Sequence, residues 1–156
     1  MTVTVLTISD RASRGIYEDR SGPEIEAVLR ARLPGIEIRR EIVADEKAEI
    51  EAAFGRHAQV DFILTTGGTG IGPRDVTPEV TASWCDRELA GIAEALRARS
   101  LAETPMAMLS RGTAGIKGRT IVVNFPGSVK AARLSAETLA PVMEHALAML
   151  RGEGHG

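Results

Sequence analysis

The chain has 156 residues, of which 44% are apolar and 26% charged, with a formal net charge of −2 and one cysteine. That length suits a single domain with its own core. The charge balance provides no basic field for nucleic acid or an anionic membrane. The lone Cys85 excludes an internal disulfide or a cysteine-based zinc cluster and suits a cytoplasmic protein, and no apolar run approaches the ~20 residues of a membrane span.

Taken in order, residues 2–8 alternate Val3 and Val5 and continue with Leu6 and Ile8, the pattern of a buried strand. Ser9, Asp10 and Arg11 follow at its carboxyl end, where open parallel sheets place their ligands. Residues 12–20 are polar, include Gly15 and predict a loop. Ser21 and Glu24 stand three apart in a capping-box pattern. Ile25, Val28, Leu29 and Leu33 then trace a helix face ended by Pro34 and Gly35. Residues 36–43 carry Ile36, Ile38, Ile42 and Val43 interrupted by Arg39, Arg40 and Glu41, which predicts a strand near an edge. Asp45 opens a second helix, with Ile50, Ala53, Phe54 and His57 at helical spacing.

Phe62, Ile63 and Leu64 predict a fully buried strand. It runs into Gly67, Gly68, Gly70 and Gly72, four glycines within six positions. Thr77, Pro78 and Glu79 close the loop as a helix start, with Thr77 as cap. Strand, glycine loop and helix start form a geometry that holds phosphate, because glycines let main-chain N–H groups converge on an anion. A simple turn needs one or two glycines, not four. Neither common phosphate fingerprint is present: no Lys-Ser or Lys-Thr follows, and the glycines alternate. Arg74 and Asp75 add an anion clamp and a possible metal ligand.

Helix is predicted from Thr77 through Cys85 and again to about Ser100, with Leu89, Ile92, Ala93 and Leu96 on one face and a break at Gly91. Between 104 and 119, Met106, Met108 and Leu109 suggest a short strand with the methionines in the core, and Gly112, Gly115 and Gly118 mark a loop. Residues 119–125 form a strong buried strand ended by Pro126 and Gly127. Ser128 caps a last helix striped by Leu139, Val142, Met143, Ala146, Leu147 and Leu150, which Pro141 should kink near Glu137. Gly152 ends it, and 151–156 read as a frayed tail beyond a single domain spanning 1–150. The alternation predicts an α/β fold, a three-layer α/β/α arrangement around a mostly parallel sheet with one short antiparallel strand between 104 and 119.

Polar clusters follow each predicted strand: Ser9 to Arg11, Asp45 and Glu46, Thr65 through Asp75, Ser110 and Arg111, and Asn124 through Ser128. In a parallel sheet they gather along one edge, which predicts one polar pocket. Each also has a plainer reading. Asp45 is a natural N-cap, Asp75 a surface ion-pair partner, Ser9 and Asp10 a turn, Ser128 a cap, and Arg111 a solvated side chain. Cys85 beside Trp84 reads as core packing. Two carboxylates near a phosphate-cradling loop point to Mg²⁺ bound jointly with phosphate oxygens. No Ser-His-Asp or Cys-His arrangement supplies a covalent nucleophile, so the attacking group would come from a second substrate.

Five blocks resemble the molybdenum-cofactor biosynthesis proteins of the MogA/MoaB type. They are residues 8–19 with Ser21 and Gly22, 43–46, 64–79, 107–111 with Ala114 and Gly115, and 124–127. They span nearly the whole chain in the family's order. The resemblance implies a molybdopterin-binding fold assembled as a homotrimer or homohexamer. It also implies Mg-ATP-dependent adenylylation of molybdopterin with release of pyrophosphate, ahead of a molybdenum-insertion enzyme. Asp45 and Asp75 match the family's catalytic, Mg²⁺-handling aspartates. Gly67, Gly68, Thr69 and Gly70 would hold the nucleotide, while Ser9, Asp10, Ser110, Arg111 and Ser128 would line the pterin side. Ala90 before Gly91, and Val129, depart from the family at positions often held by proline. Two alternatives are a non-catalytic pterin carrier on the same fold and, more distantly, a nucleotide pyrophosphatase relative.

Overall fold

A computed structural model describes residues 1–153. The four strands β1 (Thr2–Ile8), β2 (Glu37–Val43), β3 (Phe62–Thr66) and β6 (Thr120–Phe125) are mutually parallel. β4 (Arg87–Glu88) and β5 (Ala114–Lys117) are antiparallel. Together they form one six-stranded sheet in the order β2-β1-β3-β6-β5-β4. The alternation of β1 puts Val3 and Val5 on one face and Leu6 and Ile8 on the other. Helices α2 (Ser21–Arg32), α5 (Ala90–Leu101) and α6 (Val129–Leu150) cover the first face. Helices α3 (Lys47–Arg56) and α4 (Thr77–Trp84) cover the second, where Ile50, Ala53, Phe54 and Val80 are completely buried. The expected three-layer α/β/α architecture is therefore present, with β2 at an edge.

Chain order and sheet order together locate the site. From β1 the chain moves outward to β2, then crosses back to β3 on the other side of β1. The carboxyl ends of β1 and β3 thus flank a point where the winding direction reverses, the place where such sheets open a crevice.

Local details differ from the sequence expectations for identifiable reasons. Within the expected loop, Asp10–Ser13 forms the one-turn helix α1, capped by Ser9 Oγ accepting from Ala12 N at 3.1 Å. Ser21 is not a cap. Arg20 holds the cap position without a side-chain cap, and Asp19 before it accepts from Gly22 N at 3.0 Å while Thr7 Oγ1 donates to it at 2.8 Å. A Cβ on Gly22 would lie 2.4 Å from that carboxylate. Glu24 reaches away from the capping box to Arg133 on α6, at 3.1 Å. The helix break falls not at Gly91 but at β4, whose two residues carry no periodicity to read. Gly115 makes room there: a Cβ would lie 2.7 Å from Cys85 Cβ.

The expected strand around Met106 is a 3-10 helix, Pro105–Leu109, started by Thr104 Oγ1 accepting from Met106 N at 3.3 Å. Met106 and Met108 are 64% and 67% exposed rather than core, and the antiparallel strand of this region is β5. Val142, assigned to the apolar stripe, is 48% exposed. Pro141 lies inside α6 without interrupting it. The helix ends in a Schellman motif: Gly152 at φ 73° donates to Met149 O at 3.0 Å and Glu153 donates to Ala148 O at 3.0 Å. The expected tail over 151–156 otherwise lies outside the described residues.

Candidate active site

The glycine loop follows β3 directly and is held from three sides. Gly67 N donates to Phe125 O of β6 at 3.2 Å, and Thr77 N donates to Gly68 O at 3.2 Å. Thr77 does not cap α4; its Oγ1 donates instead to Gly67 O at 3.1 Å, closing the loop on its own exit helix. Gly67 and Gly68 have φ of 101° and 67°, which side-chain-bearing residues rarely adopt. Each is also crowded. A Cβ on Gly67 would sit 2.3 Å from Ile8 O, and one on Gly68 would sit 2.3 Å from Thr77 Oγ1 and 3.0 Å from Asp45 Oδ1. The amides of Gly68, Thr69 and Gly70 have no hydrogen-bond partner among the described residues and remain available to an anion.

Asp75 sits on a tight turn with Pro73 in its second position. Asp75 N donates to Gly72 O at 3.1 Å, and Gly72 N donates back to Asp75 Oδ2 at 2.9 Å. This reciprocal pair fixes the carboxylate beside the glycines and leaves Oδ1 unengaged among the described residues. Asp45 is not the N-cap its position suggests; α3 begins after Glu46, with no side-chain cap. Asp45 and Asp10 instead exchange hydrogen bonds. Asp10 N donates to Asp45 Oδ2 at 2.9 Å, and Asp45 N donates to Asp10 Oδ1 at 3.0 Å. The loops after β1 and β2 are thereby stitched together, with Asp45 Oδ1 left facing the glycines.

Arg74 lies along Asp10, with Nε and Nη2 both at 3.0 Å, rather than projecting as an anion clamp. That guanidinium holds the Asp10 carboxyl below its usual range. Asp45 moves the other way: burial raises it most, and the charges of Asp10 and Asp75 raise it further, against the Asp10 amide that lowers it. Two neighbouring carboxylates thus have opposite environments, and a cation beside Asp45 would offset both its burial and the negative charges of Asp10 and Asp75. Among the described residues no group of three or more His, Cys, Asp or Glu is arranged to hold a metal. Two carboxylate oxygens plus phosphate and water is the coordination style of Mg²⁺, and the residues present fit it.

The raised Asp45 has a measurable consequence. Only the ionised carboxylate would bind a cation, so any Mg²⁺ affinity of the protein without other ligands should weaken as pH drops through a value above the ordinary aspartate range. A pH series of Mg²⁺ titrations on the wild-type protein checks this; an affinity that holds down to the unperturbed aspartate value would contradict it.

The remaining residues divide between two places. Arg111 N donates to Thr69 O at 2.8 Å. Its guanidinium donates to Gly70 O and Asp75 O, both at 2.7 Å, and pairs with Glu79 of α4. It braces the loop that carries Asp75. Glu79 is in turn held below the usual carboxylate range by that guanidinium. Ser110 and Ser128 line a separate cavity of about 170 Å³ between α5, α6 and the end of β6, with Pro126 and Asn124 in its wall. Ser128 Oγ also caps α6, accepting from Ala131 N at 3.2 Å. The single expected pocket is thus two neighbouring compartments: an open ledge of glycines and carboxylates, and a mainly apolar cavity. The turn through Gly127 adjoins both, since a Cβ there would lie 3.2 Å from Gly67 Cα.

Sequence reading placed Asn124 in a polar cluster, Glu79 in a helix start and Asp19 in a matching block, but gave none of the three a role at the site. Asn124 is 4% exposed, and its amide donates to Thr65 Oγ1 at 3.1 Å and Thr81 Oγ1 at 2.9 Å, joining β6, β3 and α4 beneath the site. A polar residue within the apolar run of β6 was the available signal, because a buried amide must find partners. Cys85 is half-buried and packs, with Trp84, against the second core, and burial pushes its thiol up to about 11.

Comparison with known proteins matches the chain along nearly its whole length. Residues 4–145 match a family model described as a probable molybdopterin binding domain. A molybdopterin adenylyltransferase of Helicobacter pylori is 41% identical over 154 residues, covering 96% of this chain and 88% of the relative. A solved structure of MogA superimposes with a TM-score of 0.89 at 37% identity, covering 96% and 99% of the two chains. The molybdopterin biosynthesis enzyme MoaB of Thermus thermophilus superimposes at 0.83 with 43% identity, covering 97% and 96%.

Proposed function

The chain belongs to the molybdopterin-binding domain family of molybdenum cofactor biosynthesis, and on that premise we propose that it adenylylates molybdopterin with Mg-ATP. A terminal phosphate oxygen of the pterin substrate attacks the α-phosphorus of ATP, the bond from that phosphorus to the bridging oxygen breaks, and pyrophosphate leaves. The observation that carries this reading is the meeting of Asp45 and Asp75 at the glycine loop. The free amides of Gly68, Thr69 and Gly70 hold the nucleotide phosphates, where aligned N–H dipoles offset negative charge. Asp45 and Asp75 hold Mg²⁺, which when bound neutralises charge developing on the transferred phosphoryl group. Asp10 and Arg74 keep Asp45 in place, and Arg111 keeps Asp75 in place. Ser110 and Ser128 serve the pterin half from the cavity beside the ledge, and Ser9 and Asp10 serve it from the ledge side, after β1.

No helix among the described residues is long and apolar enough to cross a membrane, and we place the reaction in the cytoplasm. The exposed Met106, Met108 and Leu109 offer an apolar surface for assembly as a homotrimer or homohexamer. The adenylylated product passes to a molybdenum-insertion enzyme.

Purified protein given molybdopterin, ATP and Mg²⁺ should form adenylyl-molybdopterin and pyrophosphate in equal amounts, read by mass spectrometry and a pyrophosphate assay. Binding of both substrates without product would instead mark a carrier.

A further inference from the structure

The opposite end of the sheet carries another opening, a groove of about 660 Å³ that the adenylylation reading leaves unused. It lies at the amino ends of β3 and β6, one strand length of about 17 Å from the glycine ledge. Its walls are the loop before β3, the turn joining β5 to β6, and the end of α6. The fold fixes those walls in place. Thr120 Oγ1 donates to Ala58 O at 3.0 Å and to Val60 O at 2.7 Å, and Ile121 N donates to Asp61 O at 3.0 Å. Val60, Leu147 and Leu150 give the groove an apolar side.

The groove holds more positive charge than the fold pairs. Its acids already have partners. Asp86 Oδ1 accepts from Lys117 Nζ at 3.1 Å and Asp86 Oδ2 from Gly118 N at 3.0 Å. Asp61 Oδ2 accepts from Thr2 N at 2.8 Å and Thr2 Oγ1 at 3.2 Å. The guanidinium groups of Arg119 and Arg151, which line the same groove, have no hydrogen bond or ion pair among the described residues. Lys117, Arg119 and Arg151 against Asp61 and Asp86 leave the groove net positive, on a chain whose formal charge is −2. Guanidinium forks match the oxygen geometry of a phosphate, and two of them balance its double charge. The volume falls within the roughly 300–1,000 Å³ of a small-molecule site, so the groove has room for an organic body beside the anion.

We infer that this groove binds a small organic phosphate, with Arg119 and Arg151 on the phosphate oxygens and Val60, Leu147 and Leu150 against the apolar body. No step of the adenylylation passes through it, so the assignment stands or falls apart from that reading.

The test titrates naphthyl phosphate into the isotope-labelled full chain and follows the amide chemical shifts. Saturable shifts should gather at Gly118, Arg119, Leu150 and Arg151. Arg119→Gln and Arg151→Gln should each weaken that binding about tenfold or more, the scale of a hydrogen bond to a charged group. Arg99→Gln removes a charge outside the groove and should change the affinity less than about twofold, as salt screening of a distant exposed charge requires. Both groove variants should keep the unfolding midpoint and the adenylylation rate, because neither guanidinium holds any part of the fold. No saturable shift in the groove, or shifts confined to Gly68, Thr69 and Gly70, overturns the assignment. Equal weakening by Arg99→Gln overturns it as an effect of overall charge. Inorganic phosphate binding as tightly as naphthyl phosphate overturns it by removing the organic body from the recognition. Tighter, arginine-dependent binding of an acidic, leucine-containing peptide overturns it in favour of a protein partner.

Discussion

Asp45→Asn and Asp75→Asn are each expected to lower kcat/KM for molybdopterin adenylylation by about 10²–10³-fold, the scale of removing one preorganised electrostatic contact from a transition state. Asparagine is the informative replacement. Its side-chain oxygen can still accept from Asp10 N at position 45 or from Gly72 N at position 75. The loop stitching survives and only the charge is lost. Most of the loss should be in kcat and in the apparent affinity for Mg²⁺, with molybdopterin binding retained.

The stability effect should have the opposite sign for Asp45. An acid whose folded-state pKa is raised destabilises the fold above that value, and the penalty disappears as pH falls below its unfolded value. Asp45→Asn should therefore leave the protein as stable or more stable at neutral pH, measured by urea unfolding. Asp10 behaves conversely. Its lowered pKa means that its stabilising contribution is present above the unfolded value and is lost on acidification. An Asp45→Asn protein with full activity would remove the metal-binding role assigned here.

Gly67→Ala is expected to cost roughly 3 kcal/mol or more in unfolding free energy, a size reserved for backbone strain and steric conflict. Two penalties coincide. The residue sits at φ 101°, and its new methyl would press to 2.3 Å against the carbonyl oxygen of Ile8. Neither side can move easily, because Ile8 belongs to a central strand and Gly67 is tied to Phe125. Gly15→Ala provides the control. It also has positive φ, at 72°, but meets nothing within 4 Å, so it should cost only about 1 kcal/mol. Equal costs for the two would mean that the close approach at Gly67 is absorbed by relaxation.

Much of the candidate site could be read from residue order, for a physical reason. Carboxylates and glycines placed immediately after apolar strands converge whenever those strands run parallel, and that alternation is a local property of the chain. The core faces were legible in the same way, because Ile50, Ala53 and Phe54, or Val3 and Val5, repeat at the period of their element. What misled was polar residues with several competing partners. Asp45 and Thr77 both look like caps, yet each bonds across a gap, Asp45 to the loop after β1 and Thr77 back to Gly67. The Met106 and Met108 alternation resembles a strand but belongs to a single 3-10 turn, a length at which apolar spacing carries little information.

Length, apolar periodicity, the glycine loop and the order of the five motif blocks determined, without coordinates, a parallel α/β domain with its chemistry at the strand ends. The tertiary structure alone decided how the charges pair. Arg74 neutralises Asp10 from 64 positions away, Arg111 holds the Asp75 loop and Glu79, and Asp45 is left without a cationic partner of its own. Periodicity and turns arise between neighbours along the chain. Ion pairs and burial arise between loops that become adjacent only when the sheet order is set.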